Sequence, residues 1–589
     1  MRSYVPACFA SVVSAVFGLN FVSNYTQVPP FKYPTDFSRP VSHCRNQVKA
    51  PPHVDFLQNP ALQIQLPDGL IQGRLKHTVG IGMPYYSFEG IPYAKPPVGR
   101  LRFRPPEAPL KWDGVLDADG DVPGCVQITP ASGGWYESED CLYINVYVAK
   151  PPSGPPQLKP VMVWIYGGGF LFGVANSTYY GPDFLLEDDV IVVHFNYRIN
   201  VFGFLSTEDS ASPGNYGLKD QLAALRWVRD NIRLFGGDPD KITIFGESAG
   251  GASVQYHLLS PKSRGLFRGA ISESGSALCP WALQPEPVKI AGQIALSTGF
   301  PGGSSEDMVE HLRGLSTRKL KRAALGVSIV NSVNVATSLP FSPTLEPEHE
   351  DAFISERSYE LLKAGDFERV PYIVGFNSQE AGGVRMGLEF GEPLLGMLPS
   401  QVLIPPGLNN RAWGVGDEIK EFYFENDQPK TQQYLDFISD SYFYRPITES
   451  ARLYSIYAPI YMYRFSYEGY FLGKRAFSMG EESTVNGVMH SEEVWYIFSR
   501  ADLRHANATD ERTRRRMVRL WTNFAKFGDP TPVREELLQN VSWSRFERDD
   551  YPYLDIDREM TMRRNFKRET LEFWRGLFAK HGRPPFDTY

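Results

Sequence analysis

The sequence predicts an α/β fold in which helices flank a large, mostly parallel, twisted sheet within a single domain. The first observation is a series of short, continuously apolar runs, which is the pattern of strands covered on both faces. The second is that helical patterns separate some of these runs, which favours parallel strands. The third is composition: 42% of the 589 residues are hydrophobic and 13% aromatic, enough for a large buried core.

The predicted elements follow in order along the chain. A helix is predicted from Leu218 to Phe235, because apolar residues recur there at helical spacing until Gly236-Gly237-Asp238-Pro239 ends the pattern. A second helix is predicted from Ala252 to Leu259. The apolar runs predict strands at residues 161–166, 190–195, 242–245, 269–272, 371–375 and 460–463.

Both ends of the chain differ from the predicted globular domain, which spans residues 60–580. Residues 1–23 resemble a secretory signal peptide, because Arg2 precedes an uncharged and mostly apolar stretch. The alternative is an uncleaved amino-terminal anchor. Residues 24–59 are predicted to form an irregular extension, and residues 581–589 a polar tail.

Cysteines and sequons also favour a secreted glycoprotein. Cys125 and Cys141 bracket a short loop that suits a disulfide in an oxidising compartment. Cys279 follows an apolar segment and is predicted to be a buried free thiol. Cys44 is unassigned, with Cys279 or another chain as its alternative partners. The predicted N-glycosylation sites are Asn24, Asn176, Asn507 and Asn540.

The charge and hydropathy of the chain argue against nucleic acid as a partner and against a membrane span after the amino terminus. The formal net charge is −7 and no basic stripe stands out, so nucleic acid is not expected. Five arginines between Arg512 and Arg519 lie on a helical pattern and are interpreted as a solvated helix face. No stretch after the amino terminus approaches the ~20 apolar residues that a membrane span needs.

The chemistry begins at Ser248, in the turn Gly246-Glu247-Ser248-Ala249-Gly250. A predicted strand precedes this G-x-S-x-G turn and a predicted helix follows it, which is the context of a nucleophile elbow in the α/β-hydrolase fold. The glycines let the backbone turn tightly. A serine hydroxyl becomes a good nucleophile only when a base takes its proton, so partners are needed.

The predicted base is His490. In this fold the acid and the histidine follow the serine in that order. His490 lies in a loop between the last predicted strand and an apolar segment, which suits a base in a dry site. The other histidines after Ser248 lie too close to the elbow or in charged and polar surroundings: His257, His311, His349, His505 and His581.

Glu380 is the predicted acid, because it follows the predicted strand at 371–375 and precedes His490. It would fix the histidine tautomer and stabilise the imidazolium. An oxyanion hole is predicted at the three glycines 167–169 after the strand at 161–166, with the amide of Ala249 as a further donor. The alternative, a phosphate cradle, is disfavoured because no Lys-Ser/Thr pair follows the glycines.

With these motifs the chain resembles the type-B carboxylesterase and cholinesterase family, most of all the secreted insect carboxylesterases. The resemblance extends from about residue 60 to 578. Its marks are Phe88-Glu89-Gly90-Ile91-Pro92-Tyr93-Ala94, Ser138-Glu139-Asp140-Cys141-Leu142, the glycine run, Asn215-Tyr216-Gly217-Leu218-Lys219-Asp220-Gln221 and the Ser248 elbow.

The resemblance implies Ser248, Glu380 and His490 as the triad, with Gly168, Gly169 and Ala249 as the oxyanion donors. It also implies the Cys125–Cys141 disulfide and an Arg102–Glu139 ion pair. Further residues that it implies are two acids beside the histidine, Glu247 and Glu493, and an acyl pocket at Trp281, Leu339 and Phe341.

Several departures from the family pattern narrow the substrate. The loop between Cys125 and Cys141 is short and Trp135 is offset, which disfavours choline esters. Glu247 stands where juvenile hormone esterases typically have glutamine. Ala381 and Ser491 replace glycines that usually follow the acid and the histidine.

The sequence therefore predicts a serine carboxylesterase that forms an acyl-enzyme on small or medium-sized esters, with no cofactor and no metal. The alternatives are an inactive adhesion or binding protein on the same scaffold, a lipase, and a juvenile-hormone-type esterase. The natural substrate and the oligomeric state are left open.

Overall fold

The computed structural model describes residues 62–120, 122–128, 136–149, 158–331, 339–384, 399–408, 414–424, 430–469, 486–500 and 507–589. The predicted signal peptide and extension, with Asn24 and Cys44, lie outside the described residues, as does Trp135.

An eleven-stranded sheet dominates the described structure. Its strands, in spatial order, are β16, β15, β14, β13, β12, β11, β9, β10, β8, β4 and β3, while β1, β2 and β5 form a small sheet and β6 pairs with β7. The bounds are β1 Gln63–Leu66, β2 Gly69–Gln72, β3 Arg74–His77, β4 Pro84–Pro92, β5 Val115–Asp117, β6 Gly124–Cys125, β7 Glu137–Ser138, β8 Tyr143–Val148, β9 Lys159–Ile165, β10 Ile191–Phe195, β11 Gly237–Glu247, β12 Gly269–Glu273, β13 Tyr372–Asn377, β14 Ile460–Phe465, β15 Tyr553–Ile556 and β16 Met560–Arg563.

The centre of the sheet is parallel, from β10 through β9, β11, β12, β13 and β14 to β15. Antiparallel pairs extend both margins. The six predicted strands correspond to β9 through β14, and the predicted α/β fold with its mostly parallel sheet is confirmed. Because parallel strands end at the same edge, the carboxyl ends of β11, β12 and β13 lie side by side, and ligands bind at this edge in open α/β sheets.

Helices cover the sheet. The predicted helix after residue 218 is α3, continued by a 3₁₀ turn at Ile232–Phe235, and the one after the elbow is α4; both predictions are confirmed. The α-helices of the described part are α1 Asp183–Leu186, α2 Asn200–Phe204, α3 Tyr216–Asn231, α4 Ala249–Leu259, α5 Pro287–Ser297, α6 Ser305–Arg313, α7 Thr317–Asn331, α8 Ser358–Ala364, α9 Val415–Tyr423, α10 Thr431–Ser439, α11 Arg445–Tyr454, α12 Ala508–Phe527 and α13 Arg568–His581.

Two cross-links join segments of the chain that precede β8. Cys125 and Cys141 form a disulfide, and the guanidinium of Arg102 donates to both carboxylate oxygens of Glu139. Cys279 is a buried free thiol. All three predictions are confirmed. No helix in the described ranges has the length and apolar character that a membrane crossing requires.

The interpretation of the arginines on α12 as a solvated face is wrong for two of them, Arg514 and Arg516. Arg514 and Arg516 are buried, and Arg514 pairs with Glu187 and Glu511. Arg519 bridges Asp188 and Glu535. The helix packs against α1 and against the strands β9 and β11. The guanidinium groups of Arg514 and Arg519 therefore meet carboxylates of the segment after α1.

Candidate active site

Ser248 lies in a strained turn between β11 and α4. Its φ is 59°, a positive value that residues with a side chain rarely adopt, and its amide donates to the carbonyl of Glu273 at 2.8 Å. Gly250 makes the turn possible, because a Cβ there would lie 2.0 Å from the carbonyl oxygen of Ile165. A non-glycine residue with positive φ at such a turn is typical of a nucleophile elbow.

The glycine run follows β9 and faces the same turn. Gly168 has a φ of 96°, and a Cβ there would lie 2.2 Å from the carbonyl oxygen of Phe172. The amides of Gly168 and Gly169 donate to no hydrogen bond among the described residues. The amide of Ala249 begins α4 and has no carbonyl partner within that helix. Such amides are available to an oxyanion.

His490 is held by Glu380 across the ends of β13 and β14. Nδ1 of the imidazole lies 2.6 Å from Oε2 of Glu380, and the amide of His490 donates to the carbonyl of Glu380. The carboxylate is buried, with 1% of its side chain exposed. A buried carboxylate on Nδ1 leaves Nε2 as the nitrogen that exchanges a proton with substrate-side groups.

Two residues that the sequence analysis did not single out fix Glu380. Ser274 donates to Oε1 of Glu380 at 2.6 Å, and the amide of Asn377 donates to the same oxygen at 2.7 Å. The Asn377 side chain also bonds the Met489 carbonyl. Ser274 follows β12 directly and Asn377 ends β13, so their place at the carboxyl ends of neighbouring strands is a signal that could have identified them.

Glu247 occupies the other side of the imidazole. Its Oε1 lies 3.1 Å from Nε2 of His490 and accepts a hydrogen bond from the hydroxyl of Ser491 at 2.5 Å. Among the hydrogen bonds of the described residues, none joins Ser248 to His490. Catalytic hydrogen bonds are often long in ligand-free enzymes and shorten in the complex.

Four buried glutamates, here named the acid cluster, interact with one another: Glu247, Glu273, Glu380 and Glu493. Two of them, Glu247 and Glu380, contact His490. Burial is the largest influence on the pKa of Glu493 and raises it well above the usual range, and the other members of the cluster raise it further. Burial also raises the pKa of Glu273 to about 8, against the opposing effect of the Trp521 hydrogen bond. Glu273 was not predicted, and it ends β12 beside the elbow.

The cluster sets the basicity of His490. Burial alone lowers the pKa of the imidazole, but the attraction of Glu247 and Glu380 and the Glu380 hydrogen bond outweigh burial, and the pKa rises to about 8. Burial raises the pKa of Glu247, which His490 and Ser491 counteract. The site therefore stabilises an imidazolium next to Ser248.

Aromatic rings pack beside the imidazole of His490. The ring of Phe443 lies 4.8 Å from the imidazole and 5.9 Å from Trp281. Trp281 is buried and donates to the carbonyl of Tyr442. Leu339 and Phe341 are buried as well, without a described contact to the triad residues. Their role as an acyl pocket stays a prediction.

Comparisons with known proteins identify the family of this chain. A family model described as the carboxylesterase family matches residues 58–574. Juvenile hormone esterase of Tribolium castaneum is 37% identical over 500 residues, which cover 78% of this chain and 82% of that protein. Cocaine esterase of Homo sapiens is 34% identical over 538 residues, covering 86% and 90%.

A solved structure of an esterase has a similar fold. Juvenile hormone esterase from Manduca sexta, crystallised with OTFP covalently attached, superposes with a TM-score of 0.76 at 29% identity. The match covers 88% of this chain and 99% of that chain. The chain belongs to the carboxylesterase family and is a carboxylic ester hydrolase.

Proposed function

We propose that Ser248, His490 and Glu380 are the nucleophile, the base and the orienting acid for the hydrolysis of small or medium-sized carboxylic esters. The observation that carries the proposal is the 2.6 Å bond from Nδ1 of His490 to Glu380, with Nε2 turned toward the residue that precedes Ser248. A base oriented by a buried carboxylate beside an elbow serine is the arrangement that activates a serine.

In acylation, Nε2 of His490 takes the proton of Ser248 while Oγ bonds to the ester carbonyl carbon. The carbonyl π pair moves onto oxygen, where the amides of Gly168, Gly169 and Ala249 stabilise the oxyanion. The imidazolium then gives its proton to the departing alcohol as the carbonyl reforms, and an acyl-enzyme remains. Glu380 keeps the proton on Nδ1 and offsets the imidazolium charge.

In deacylation, His490 takes a proton from water, whose oxygen attacks the acyl carbon. The second tetrahedral intermediate collapses when the imidazolium returns the proton to Oγ of Ser248, and the carboxylic acid leaves. Neither half-reaction calls for a metal or a cofactor.

Hydrolysis of p-nitrophenyl acetate by the wild type and Ser248→Ala tests this assignment. We expect the substitution to lower kcat by roughly 10⁴-fold or more, since a triad acts as a unit. Ser297→Ala, an exposed serine on α5, is the matched control and should leave the rate unchanged. Equal, near-zero rates in the wild type and Ser248→Ala would favour the adhesion or binding protein instead.

A chain-length series of p-nitrophenyl esters, with a choline ester, an emulsified triglyceride and a terpenoid methyl ester added, defines the substrate class. We expect short or medium acyl chains to give the highest kcat/KM. The methyl ester represents the second candidate, a juvenile-hormone-type activity, which is supported by the names of two similar proteins. Glu247 argues against that activity, because juvenile hormone esterases typically have glutamine at this position.

We also propose secretion and N-glycosylation. The disulfide and the sequons support both, and Asn507 and Asn540 are exposed while Asn176 is half-buried. Expression in insect cells should deliver the protein to the medium, with a mass that glycosidase treatment lowers. Replacement of Asn176, Asn507 and Asn540 by glutamine should reduce that mass difference stepwise.

A further inference from the structure

Ser491 has an unusual backbone and an unusual hydrogen-bond partner. Its φ is 69°, in the left-handed region that disfavours residues with a side chain. Its hydroxyl donates at 2.5 Å to Oε1 of Glu247, a residue 244 positions earlier in the chain. A strained residue beside an active site motivates the hypothesis that its side chain contributes to function.

The oxygen that accepts this hydrogen bond is also the oxygen nearest the base. Oε1 of Glu247 lies 3.1 Å from Nε2 of His490, and only 7% of the Glu247 side chain is exposed. Water therefore has little access to replace the hydroxyl of Ser491. Oε1 of Glu247 is thus a single buried oxygen that contacts both His490 and Ser491.

We propose that Ser491 is a positioning residue, whose hydroxyl keeps Glu247 ionised and directed at Nε2 of His490. The positioned carboxylate acts on the charge state of His490. Its effect on turnover rests on the proposed function. When Ser248 is acylated, the fixed carboxylate stabilises the imidazolium that forms. The proposal adds to the triad a residue that acts through Glu247 and touches neither substrate nor Ser248.

The charges around Glu247 decide the direction of the effect. His490 faces it from the loop after β14, and Glu380, Glu273 and Glu493 belong to the same acid cluster. Burial and the other glutamates oppose a negative charge on Glu247, whereas His490 and the Ser491 hydroxyl favour it. Without the hydroxyl, Glu247 binds a proton more readily, and a neutral Glu247 no longer raises the pKa of His490.

Two substitutions separate the hydroxyl from the backbone. Ser491→Ala removes only the oxygen and keeps the Cβ in the left-handed conformation, whereas Ser491→Gly also relieves the strain. In both full-length variants we expect the pKa of His490 to fall by about half a unit to one unit, and the plateau kcat/KM to fall about tenfold, because a hydrogen bond to a charged group is lost.

Two readouts are needed. The first is the pH profile of kcat/KM on p-nitrophenyl acetate. The second is an NMR titration of ¹³C-labelled histidine, with the His490 resonance assigned by its loss in His490→Asn. The titration requires no turnover, so it decides the role of Ser491 even where the wild type hydrolyses no ester and the proposed function fails.

The same substitution in a Glu247→Gln background completes the test. An amide at 247 carries no charge for the hydroxyl to stabilise, so Ser491→Ala should leave the pKa of His490 unchanged there. An unaltered His490 pKa in the single variant would overturn the proposal. An equal shift of the His490 pKa in both backgrounds would also overturn it. Wild-type behaviour of Ser491→Gly beside a defective Ser491→Ala would do the same, because it would assign the effect to the backbone.

Discussion

The carboxylate of Glu247 lies 3.1 Å from Nε2 of His490. Nδ1 of the same ring is bonded to Glu380, so the imidazole lies between two carboxylates. Two flanking carboxylates favour the protonated ring. The contact between Glu247 and His490 therefore connects the residue beside the nucleophile with the pH dependence of the enzyme.

The first prediction concerns that pH dependence. The pKa of His490 is raised to about 8, because two carboxylates outweigh burial. Only the neutral ring accepts the proton of Ser248, so kcat/KM should rise with pH through about 8 and fall about tenfold per unit well below it. A profile at constant ionic strength measures this, and a midpoint near pH 6 would contradict it.

The second prediction concerns Glu247→Gln. Removing the charge beside Nε2 should lower the pKa of His490, and the acid limb of kcat/KM should move down by about one pH unit. The same variant should have a lower plateau rate, because the imidazolium is less well stabilised. Glu286→Gln, at an exposed glutamate paired with Lys289, is the matched control and should leave the profile in place.

The third prediction concerns Glu380→Gln. The carboxamide fits the same space, but its NH₂ group next to Nδ1 favours the wrong histidine tautomer. We expect kcat to fall by roughly 10³- to 10⁴-fold with little change in KM. Steady-state kinetics and a circular dichroism spectrum check both statements. Activity within about tenfold of wild type would assign the orienting role to another acid of the cluster.

The fourth prediction concerns the oxyanion hole. Ala at Gly168 would require a φ of 96° and bring Cβ within 2.2 Å of the Phe172 carbonyl oxygen, so the glycine run must shift. We expect kcat to fall by roughly 10²- to 10³-fold, as for loss of one oxyanion donor. Gly292→Ala on α5 is the contrast: its Cβ meets nothing within 4 Å, so activity should stay and stability should rise by about 0.5–1 kcal/mol.

The fifth prediction concerns the disulfide. Cys125 and Cys141 are 16 residues apart, and a loop of this length stabilises the folded state by about 3 kcal/mol in the chain-entropy model. Cys125→Ser with Cys141→Ser should lower the thermal midpoint, and dithiothreitol should then have no further effect. A reductant that lowers the midpoint equally in the double variant would point to another disulfide.

Local patterns were enough for much of the site. The apolar run before Ser248 and the helix after it identified the elbow, and the order of serine, acid and histidine selected Glu380 and His490. Such features can be predicted because strand, turn and helix are encoded by neighbouring residues. The arginines of α12 show the opposite case: their spacing indicated a solvated face, but Arg514 and Arg516 are buried by segments distant in sequence.

The sequence by itself determined the fold class, the elbow, the glycine run and the cysteine pair, because each is a short pattern with its own physical requirement. Only the tertiary structure decided which buried groups surround His490. Ser274, Asn377 and Glu273 belong to the site because β11, β12 and β13 are neighbours in a parallel sheet and end at one edge. The bond between Ser491 and Glu247 joins residues 244 positions apart, and its role depends on a side-chain direction that no spacing encodes.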